Sequence, residues 1–194
     1  MTDEFCAGKK VNRPSCPVTS QGFPRVIGYY EGWARNRICN NFFPEQIPTN
    51  VYTHLNFAFA GIDPNTFEIV PASMWDIDLY KRMVNLKKRD PSLQVFIAIG
   101  GWTFNDPGPT ERTFSDIARD PVAQSKFINS LIQFMANFGF DGVDIDWEYP
   151  EAPDRSGRGE DFANLPIFLA NLKNALRGTG GRSGLSLTLP ASYC

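Results

Sequence analysis

Four acidic side chains lie close together in the segment FGFDGVDIDWEYP, residues 138–150. Asp141, Asp144, Asp146 and Glu148 fall within eight positions, among residues that are otherwise typical of a buried strand. Acidic side chains are rarely buried unless a partner holds them there. Because residues two apart on a strand share a face, the last three acids are expected to point the same way. Asp141 is out of phase and is predicted to belong to the start of the strand.

The three aligned carboxyl groups could carry out acid catalysis. Successive members would be roughly 6.5–7 Å apart, and mutual repulsion and burial would raise the pKa of at least one of them. A carboxylic acid that stays neutral can protonate a departing glycosidic oxygen. Glu148, the outermost acid, is best placed to reach a ligand while keeping its proton. Asp146 would hydrogen-bond the group that Glu148 leaves behind, and Asp144 would share a proton with Asp146.

The acidic segment fits two other interpretations less well. A calcium-binding loop of the EF-hand type places its glycine after the acids and carries the acids on a loop that follows a helix, whereas these acids alternate along a predicted strand. A solvated edge strand would not carry the apolar set Val143, Ile145 and Trp147 on its other face. Both interpretations are therefore disfavoured.

The acidic segment is one of five β-rich segments, each ending in Gly, Pro or small polar residues: 25–33, 53–62, 93–102, 140–149 and 185–193. Helical periodicity fills gaps at 76–91, 120–139 and 165–178. The second of these helices has Asp120 as a predicted N-cap, Pro121 at its first position and Gly139 at its C-terminal cap.

The alternation of strand and helix predicts right-handed βαβ units and a parallel sheet. At about 40 residues per unit, eight units would need about 300 residues, which suits a (β/α)8 TIM barrel. We therefore predict an α/β fold, a partial barrel of about five βα units, with the acids at a strand's carboxyl end. A doubly wound open sheet is the competitor, but no strand precedes a G-x-G-x-x-G turn.

The composition of the chain limits the classes of binding partner that it is expected to have. The 194 residues carry 19 basic and 21 acidic side chains, which indicates neither a nucleic-acid footprint nor a polybasic membrane contact. No apolar run approaches the ~18 residues that span a bilayer, and the first residues lack the layout of a signal peptide. One histidine and four cysteines without C-x-x-C spacing predict no metal site and no cofactor. A disulfide between Cys6 and Cys16 is expected.

The segment DGVDIDWE resembles the D-x-x-D-x-D-x-E signature of family 18 glycoside hydrolases, the retaining chitinases. IAIGGW (97–102) resembles the family's S-x-G-G-W element, with Ala98 in place of the usual Ser, and VIGYYEGW and THLNFAFA resemble its first two strands. The resemblance covers residues 24–194, which would be the N-terminal part of the catalytic barrel. Residues 1–23 are predicted to be an irregular leader, and the first 16 of them resemble the tail of a hevein-type chitin-binding module found in some fungal members.

The resemblance implies a substrate-assisted mechanism acting on chitin or chitooligosaccharides outside the cell. Glu148 would be the general acid, the substrate's N-acetyl carbonyl the nucleophile, Asp146 its orienting group and Asp144 the group behind it. This agrees with the residues, since no second carboxylate facing Glu148 is predicted from another strand. The residues matched to sugar binding are all aromatic: Tyr29, Phe59, Trp102 and Tyr149. Three further residues complete the family motifs: Asp141, Gly100 and Gly101.

The chain departs from the family pattern in length, because the family's barrel has eight strands and this chain stops near the fifth. A sheet without its last strands has an open edge, and its site lacks a wall. Two alternatives to hydrolysis therefore stay open: a chitin-binding lectin on the same scaffold, and a truncated, catalytically inactive chitinase fragment.

Overall fold

The computed structural model describes residues 25–191. The predicted chitin-binding tail and the expected disulfide between Cys6 and Cys16 lie outside the described residues. Cys39 lies within them and is exposed. Within the described range, no helix combines the length and the apolar character needed to cross a membrane.

Six strands and four α-helices build the described part of the chain. The strands are β1 (Ile27–Glu31), β2 (His54–Ile62), β3 (Ile69–Pro71), β4 (Gln94–Gly100), β5 (Gly142–Asp146) and β6 (Gly184–Leu187). The helices are α1 (Asp76–Val84), α2 (Thr113–Arg119), α3 (Pro121–Phe138) and α4 (Asp161–Arg177). Short 3-10 helices complete the connections: Gly32–Asn36, Pro44–Gln46, Asn85–Lys88, Trp102–Asn105 and Pro153–Arg155.

The strands form one sheet in the order β1-β2-β4-β5-β6, and every neighbouring pair along this path is parallel. β3 pairs with β2 in the antiparallel direction at one side of the path. A parallel sheet whose strands alternate with helices confirms the predicted α/β fold of the partial-barrel type.

Helix α3 forms where its local sequence predicted it. The side chain of Asp120 accepts a 2.8 Å hydrogen bond from the backbone N–H of Val122, and Pro121 opens the first turn. Gly139 ends the helix in the left-handed conformation, with φ +84°, and its N–H bonds to Met135. An apolar stripe on one face is buried against the sheet: Phe127, Leu131, Phe134 and Met135.

Other elements differ from the predictions. The helix predicted over 76–91 is α-helical only to Val84, and α4 begins at Asp161 rather than at Leu165. The fifth predicted strand ends at Leu187, well before residue 193. The short elements α2 and β3 were missed.

The two faces of the sheet have different roles. Val143, Ile145 and Trp147 are buried in the apolar core that the helices cover, and Trp147 stacks on Phe114 of α2 with ring centroids 5.6 Å apart. The alternate residues of β5 therefore project to the opposite face, which is the barrel interior. Asp144 and Asp146 are on that interior face.

Candidate active site

Strand pairing arranges the interior side chains in rows. Ala98 on β4, Asp144 on β5 and Ser186 on β6 are direct neighbours in the parallel register. The row nearer the carboxyl ends of the strands pairs Gly100 with Asp146. The acids therefore lie at the rim where parallel barrels carry their chemistry.

The row beneath Asp144 forms the floor of the site. It contains Phe96, Gly142 and Gly184. A Cβ atom on Gly142 would lie only 2.6 Å from the Phe96 ring, and a Cβ on Gly184 would also meet that ring. Glycine at both positions makes room for the phenyl ring beneath the carboxylate.

Asp144 is almost fully buried, with 1% of its surface exposed. The hydroxyl of Tyr29 donates a 2.7 Å hydrogen bond to its Oδ2, and the hydroxyl of Ser186 donates a 2.5 Å bond to its Oδ1. Each oxygen thus has a donor, which offsets the cost of removing a carboxylate from water. The pKa of the Tyr29 phenol is raised by burial and by its bond to Asp144.

Asp146 is 7% exposed and accepts a 2.5 Å hydrogen bond from the hydroxyl of Thr188. Its pKa is raised to about 6, chiefly by burial. The bond from Thr188 opposes this shift, while the nearby carboxylates of Glu148 and Asp144 add to it. Among the three aligned acids, Asp146 therefore gains the proton affinity that like charges and burial were expected to produce.

Glu148 follows β5 by two residues and lines a cleft of about 370 Å³. The same cleft is lined by Asp146, by Tyr29 and Phe59, and by Tyr149. The Glu148 carboxylate beside the Tyr149 hydroxyl raises the pKa of that phenol. The cleft volume falls within the range of small-molecule sites. The structure thus brings five of the sequence-predicted site residues to one concave surface.

Aromatic rings extend along this surface. The half-buried ring of Phe59 stacks on Trp33, with centroids 6.2 Å apart and planes 27° apart. Trp102 is 54% exposed and meets the Tyr149 ring edge-on at 6.4 Å. Exposed aromatic planes of this kind suit stacking against the C–H faces of sugar rings.

Gly100 and Gly101 adopt φ values of +108° and +84°. Their close neighbours are atoms of the protein itself. A Cβ on Gly100 would collide with the Asp146 carbonyl oxygen, and one on Gly101 would lie 2.6 Å from the Phe59 ring. The N–H of Gly101 donates a 2.9 Å hydrogen bond to that same Asp146 carbonyl. The glycine pair therefore docks the end of β4 against the acidic strand.

Asp141 lies apart from the other acids, at the entry to β5. Its Oδ1 is 2.6 Å from Lys87 Nζ, and its Oδ2 accepts a 2.9 Å bond from the backbone N–H of Val95. These contacts join the 3-10 helix Asn85–Lys88, β4 and β5 at the amino ends of the strands. They indicate that Asp141 has a structural role.

Sequence reasoning missed several residues of the site. Ser186 and Thr188 alternate along β6 and its extension, so the two-residue period of the predicted strand could have placed both on the acidic face. Trp33 follows β1 as Trp102 follows β4. Arg155, which contacts both Trp102 and Glu148, has no signal in the local sequence.

A second carboxylate, from another strand, also lines the cleft. Glu31, the last residue of β1, lines the same cleft as Glu148. Its carboxylate is 2.7 Å from Arg37 Nη2 in an ion pair. The sequence analysis did not single out Glu31, which stands there as the polar residue at the end of a strand.

Comparison with known proteins assigns the chain to a family. The sequence model described as "Glycosyl hydrolases family 18" matches residues 25–193. The chain therefore belongs to glycosyl hydrolase family 18.

Individual relatives and structures agree. The chain is 30% identical to Chitotriosidase-1 of Mus musculus over 171 residues, covering 84% of this chain and 34% of that protein. It is 36% identical to Probable chitinase 10 of Drosophila melanogaster over 163 residues, covering 80% and 7% of the two chains. The Group II chitinase catalytic domain 2 of Ostrinia furnacalis superimposes with a TM-score of 0.78 at 28% identity, covering 87% of this chain and 44% of that one. The chain thus spans less than half the length of these relatives.

Proposed function

We propose that this protein hydrolyses β-1,4 linkages between N-acetylglucosamine units of chitin or chitooligosaccharides, with retention of configuration and with Glu148 as the general acid. The observation that carries the proposal is the placement of Glu148 on the cleft, beside an Asp146 whose pKa is raised to about 6. A mutant of the Ostrinia furnacalis domain has been solved in complex with penta-N-acetylchitooctaose (NAG)5, which supports the ligand class.

The proposed reaction has two steps. Glu148 gives its proton to the glycosidic oxygen as the bond from that oxygen to the anomeric carbon breaks. The carbonyl oxygen of the substrate's own acetamido group bonds to the anomeric carbon, forming an oxazolinium intermediate. Water then adds to that carbon from the side of the departed sugar while the bond from the carbon to the acetamido oxygen breaks, and Glu148 accepts a proton from the water.

The neighbouring acids would act on the acetamido group. At mildly acidic pH, Asp146 holds a proton that it can share with Glu148 or donate toward the acetamido oxygen or nitrogen. The hydrogen bond from Thr188 fixes the orientation of the Asp146 carboxyl. Asp144, held by Tyr29 and Ser186, supplies a fixed negative charge behind Asp146, which favours retention of its proton.

Glu31 offers a competing mechanism, because retaining glycosidases usually use a second carboxylate as the nucleophile. The Glu31 carboxylate is instead paired with the Arg37 guanidinium, and this attraction makes it a weaker nucleophile. We therefore assign the nucleophile to the substrate rather than to Glu31.

A fluorogenic chitooligosaccharide assay on three proteins tests both assignments. Glu148→Gln should lower turnover at least ~10³-fold while leaving binding intact, because the amide cannot donate a proton to the leaving group. Glu31→Gln, the matched control, should keep turnover within about tenfold of the wild type. An analogous substrate lacking the N-acetyl group should not be cleaved.

Three results would contradict the proposal. Full activity of Glu148→Gln would exclude it as the acid. Loss of activity in Glu31→Gln together with cleavage of the deacetylated substrate would favour a protein nucleophile. Binding of chitooligosaccharide by the wild type without turnover would favour the lectin alternative. The extracellular location stays a prediction of the family resemblance.

A further inference from the structure

Arg155 is a buried cation at the centre of the rim. It ends the 3-10 helix Pro153–Arg155 and is 7% exposed. A buried guanidinium is costly unless its donors are paired. The side chain satisfies them at three places: Nη1 lies 2.7 Å from Asp106 Oδ1, Nε donates a 3.2 Å bond to the carbonyl of Glu148, and Nη2 donates to the carbonyl of Trp102.

The same guanidinium also covers one face of an aromatic ring. The Arg155 Cζ atom lies 3.9 Å from the centroid of the Trp102 ring, close enough for a cation–π interaction. Trp102 as a residue remains 54% exposed, which leaves surface of this side chain accessible to a ligand. Arg155 thus fixes both the backbone and the ring plane of Trp102.

The three acceptors come from two separate loops. Trp102 and Asp106 follow β4, and Glu148 follows β5. One planar side chain therefore joins the loop that carries the exposed indole to the backbone that carries the carboxyl acid. A misplacement of about 1 Å between a binding group and a reacting group can cost about 100-fold in rate.

We infer that Arg155 is a positioning residue that holds the Trp102 ring and the Glu148 backbone at a fixed separation, so that a sugar stacked on the indole presents its glycosidic oxygen to the carboxyl group. This inference rests on the proposed function for the role of Glu148. Lysine cannot replace arginine here, because an ammonium group lacks both the planar face and the fork of donors that reaches three acceptors.

The test compares Arg155→Lys with Arg158→Lys. Arg158 is in the same connection, and its guanidinium pairs with Asp116 at 2.7 Å and with the Ser115 hydroxyl at 3.0 Å. For an N-acetylglucosamine tetrasaccharide, Arg155→Lys should raise Kd about tenfold and lower kcat at least about tenfold. Arg158→Lys should change both by no more than about twofold. Equal losses in the two variants would overturn the inference, because they would indicate a general loss of stability.

A double-mutant cycle separates positioning from a structural role. If Arg155 acts on the sugar through the indole, its substitution should change Kd by no more than about twofold in a Trp102→Leu background. The same tenfold effect in both backgrounds would contradict the inference.

A third measurement needs neither sugar nor turnover. Near-ultraviolet circular dichroism reports the environment of the indole, so Arg155→Lys should alter the spectrum of the wild type but not that of Trp102→Leu. If this change is seen in a protein that neither binds nor cleaves the tetrasaccharide, the proposed function fails while the contact between Arg155 and Trp102 stands. If the spectrum does not change, the positioning role is excluded.

Discussion

The hydroxyl of Tyr29 on β1 lies 2.7 Å from Oδ2 of Asp144 on β5, joining residues 115 positions apart in the chain. The bond crosses the barrel interior, since β2 and β4 separate these strands in the sheet. The other oxygen of Asp144 is bonded by Ser186 on the adjacent β6. The innermost acid is thus held from both sides by hydroxyl groups.

The family motif has a serine at the position that Ala98 occupies in this chain. We expect Ser186 to replace that serine as a hydrogen-bond donor to Asp144. Both positions are direct neighbours of Asp144, one on each side. Ser186→Ala should lower kcat about tenfold, because the buried carboxylate loses a donor worth about 1–2 kcal/mol. Adding Ala98→Ser should recover part of the loss. Steady-state kinetics of the single and double variants check this.

Ser125→Ala is a suitable control for that experiment, because its hydroxyl bonds to the Pro121 carbonyl on the exposed surface of α3. It should leave kcat unchanged. A Ser186→Ala protein with wild-type kcat would show that Tyr29 alone is enough to hold Asp144.

Asp146 should make stability depend on pH in a distinctive direction. Its pKa rises from 3.8 to about 6 on folding, so the folded chain binds the proton more tightly than the unfolded chain. The contribution to the free energy of unfolding is full below pH 4, falls between pH 4 and 6, and is lost above pH 6. The total loss is about 3 kcal/mol.

Other groups titrate in the same range, so the comparison must be a difference. Burial lowers the pKa of His54, which increases stability as pH rises, and burial raises the pKa of Asp76, which decreases it. Subtracting the urea-unfolding free energy of wild type from that of Asp146→Asn cancels both. The unfolding free energy of Asp146→Asn, relative to that of wild type, should increase by about 3 kcal/mol from pH 4 to pH 7. The activity of Asp146→Asn should be lower than that of wild type. A flat difference would contradict the raised pKa.

Gly100→Ala should destabilise the fold and impair the site together. The residue has φ +108°, and a Cβ atom would meet the Asp146 carbonyl and lie 2.8 Å from the Phe114 ring. We expect a loss of about 2–3 kcal/mol in unfolding free energy. Thermal denaturation measures it. Gly159→Ala, where a Cβ would have nothing within 4 Å, should cost no more than about 0.5 kcal/mol.

Asp141 is expected to affect stability but not catalysis. Asp141→Ala removes the partner of Lys87 and the acceptor of the Val95 N–H, and should cost about 2–3 kcal/mol. Asp141→Asn keeps the acceptor and should cost about 1 kcal/mol. Both proteins should show wild-type kcat at temperatures well below their melting points. A large fall in kcat for the folded Asn variant would show that Asp141 takes part in the chemistry.

The elements that the sequence predicted well are those whose signals are local. Helix α3 has its N-cap, its proline and its terminal glycine within its own 20 residues, and each acts as predicted. The acidic strand could be oriented because its apolar and carboxyl side chains alternate. In such segments, short-range preference and tertiary packing agree.

The elements that were missed depend on distant partners. The start of α4 is fixed by Asp161, whose buried carboxylate accepts bonds from the backbone of Arg158 and from the Ser115 hydroxyl. The prediction began the helix at Leu165 instead, where its apolar periodicity starts. Helix α2 has seven residues and no capping side chain, and it is held by packing such as that of Phe114 on Trp147.

The parallel order of β1, β2, β4, β5 and β6 has a consequence for how such a protein can diverge. Each strand delivers its following loop to the same rim, whereas the contacts that secure the sheet, such as that of Asp141 with Lys87, lie at the opposite end. Insertions in the loops after β1, β4 and β5, beyond the site residues that directly follow each strand, can therefore reshape the cleft while the opposite end of the sheet is unchanged. The length of the cleft and its contacts with a ligand can therefore change one loop at a time during evolution.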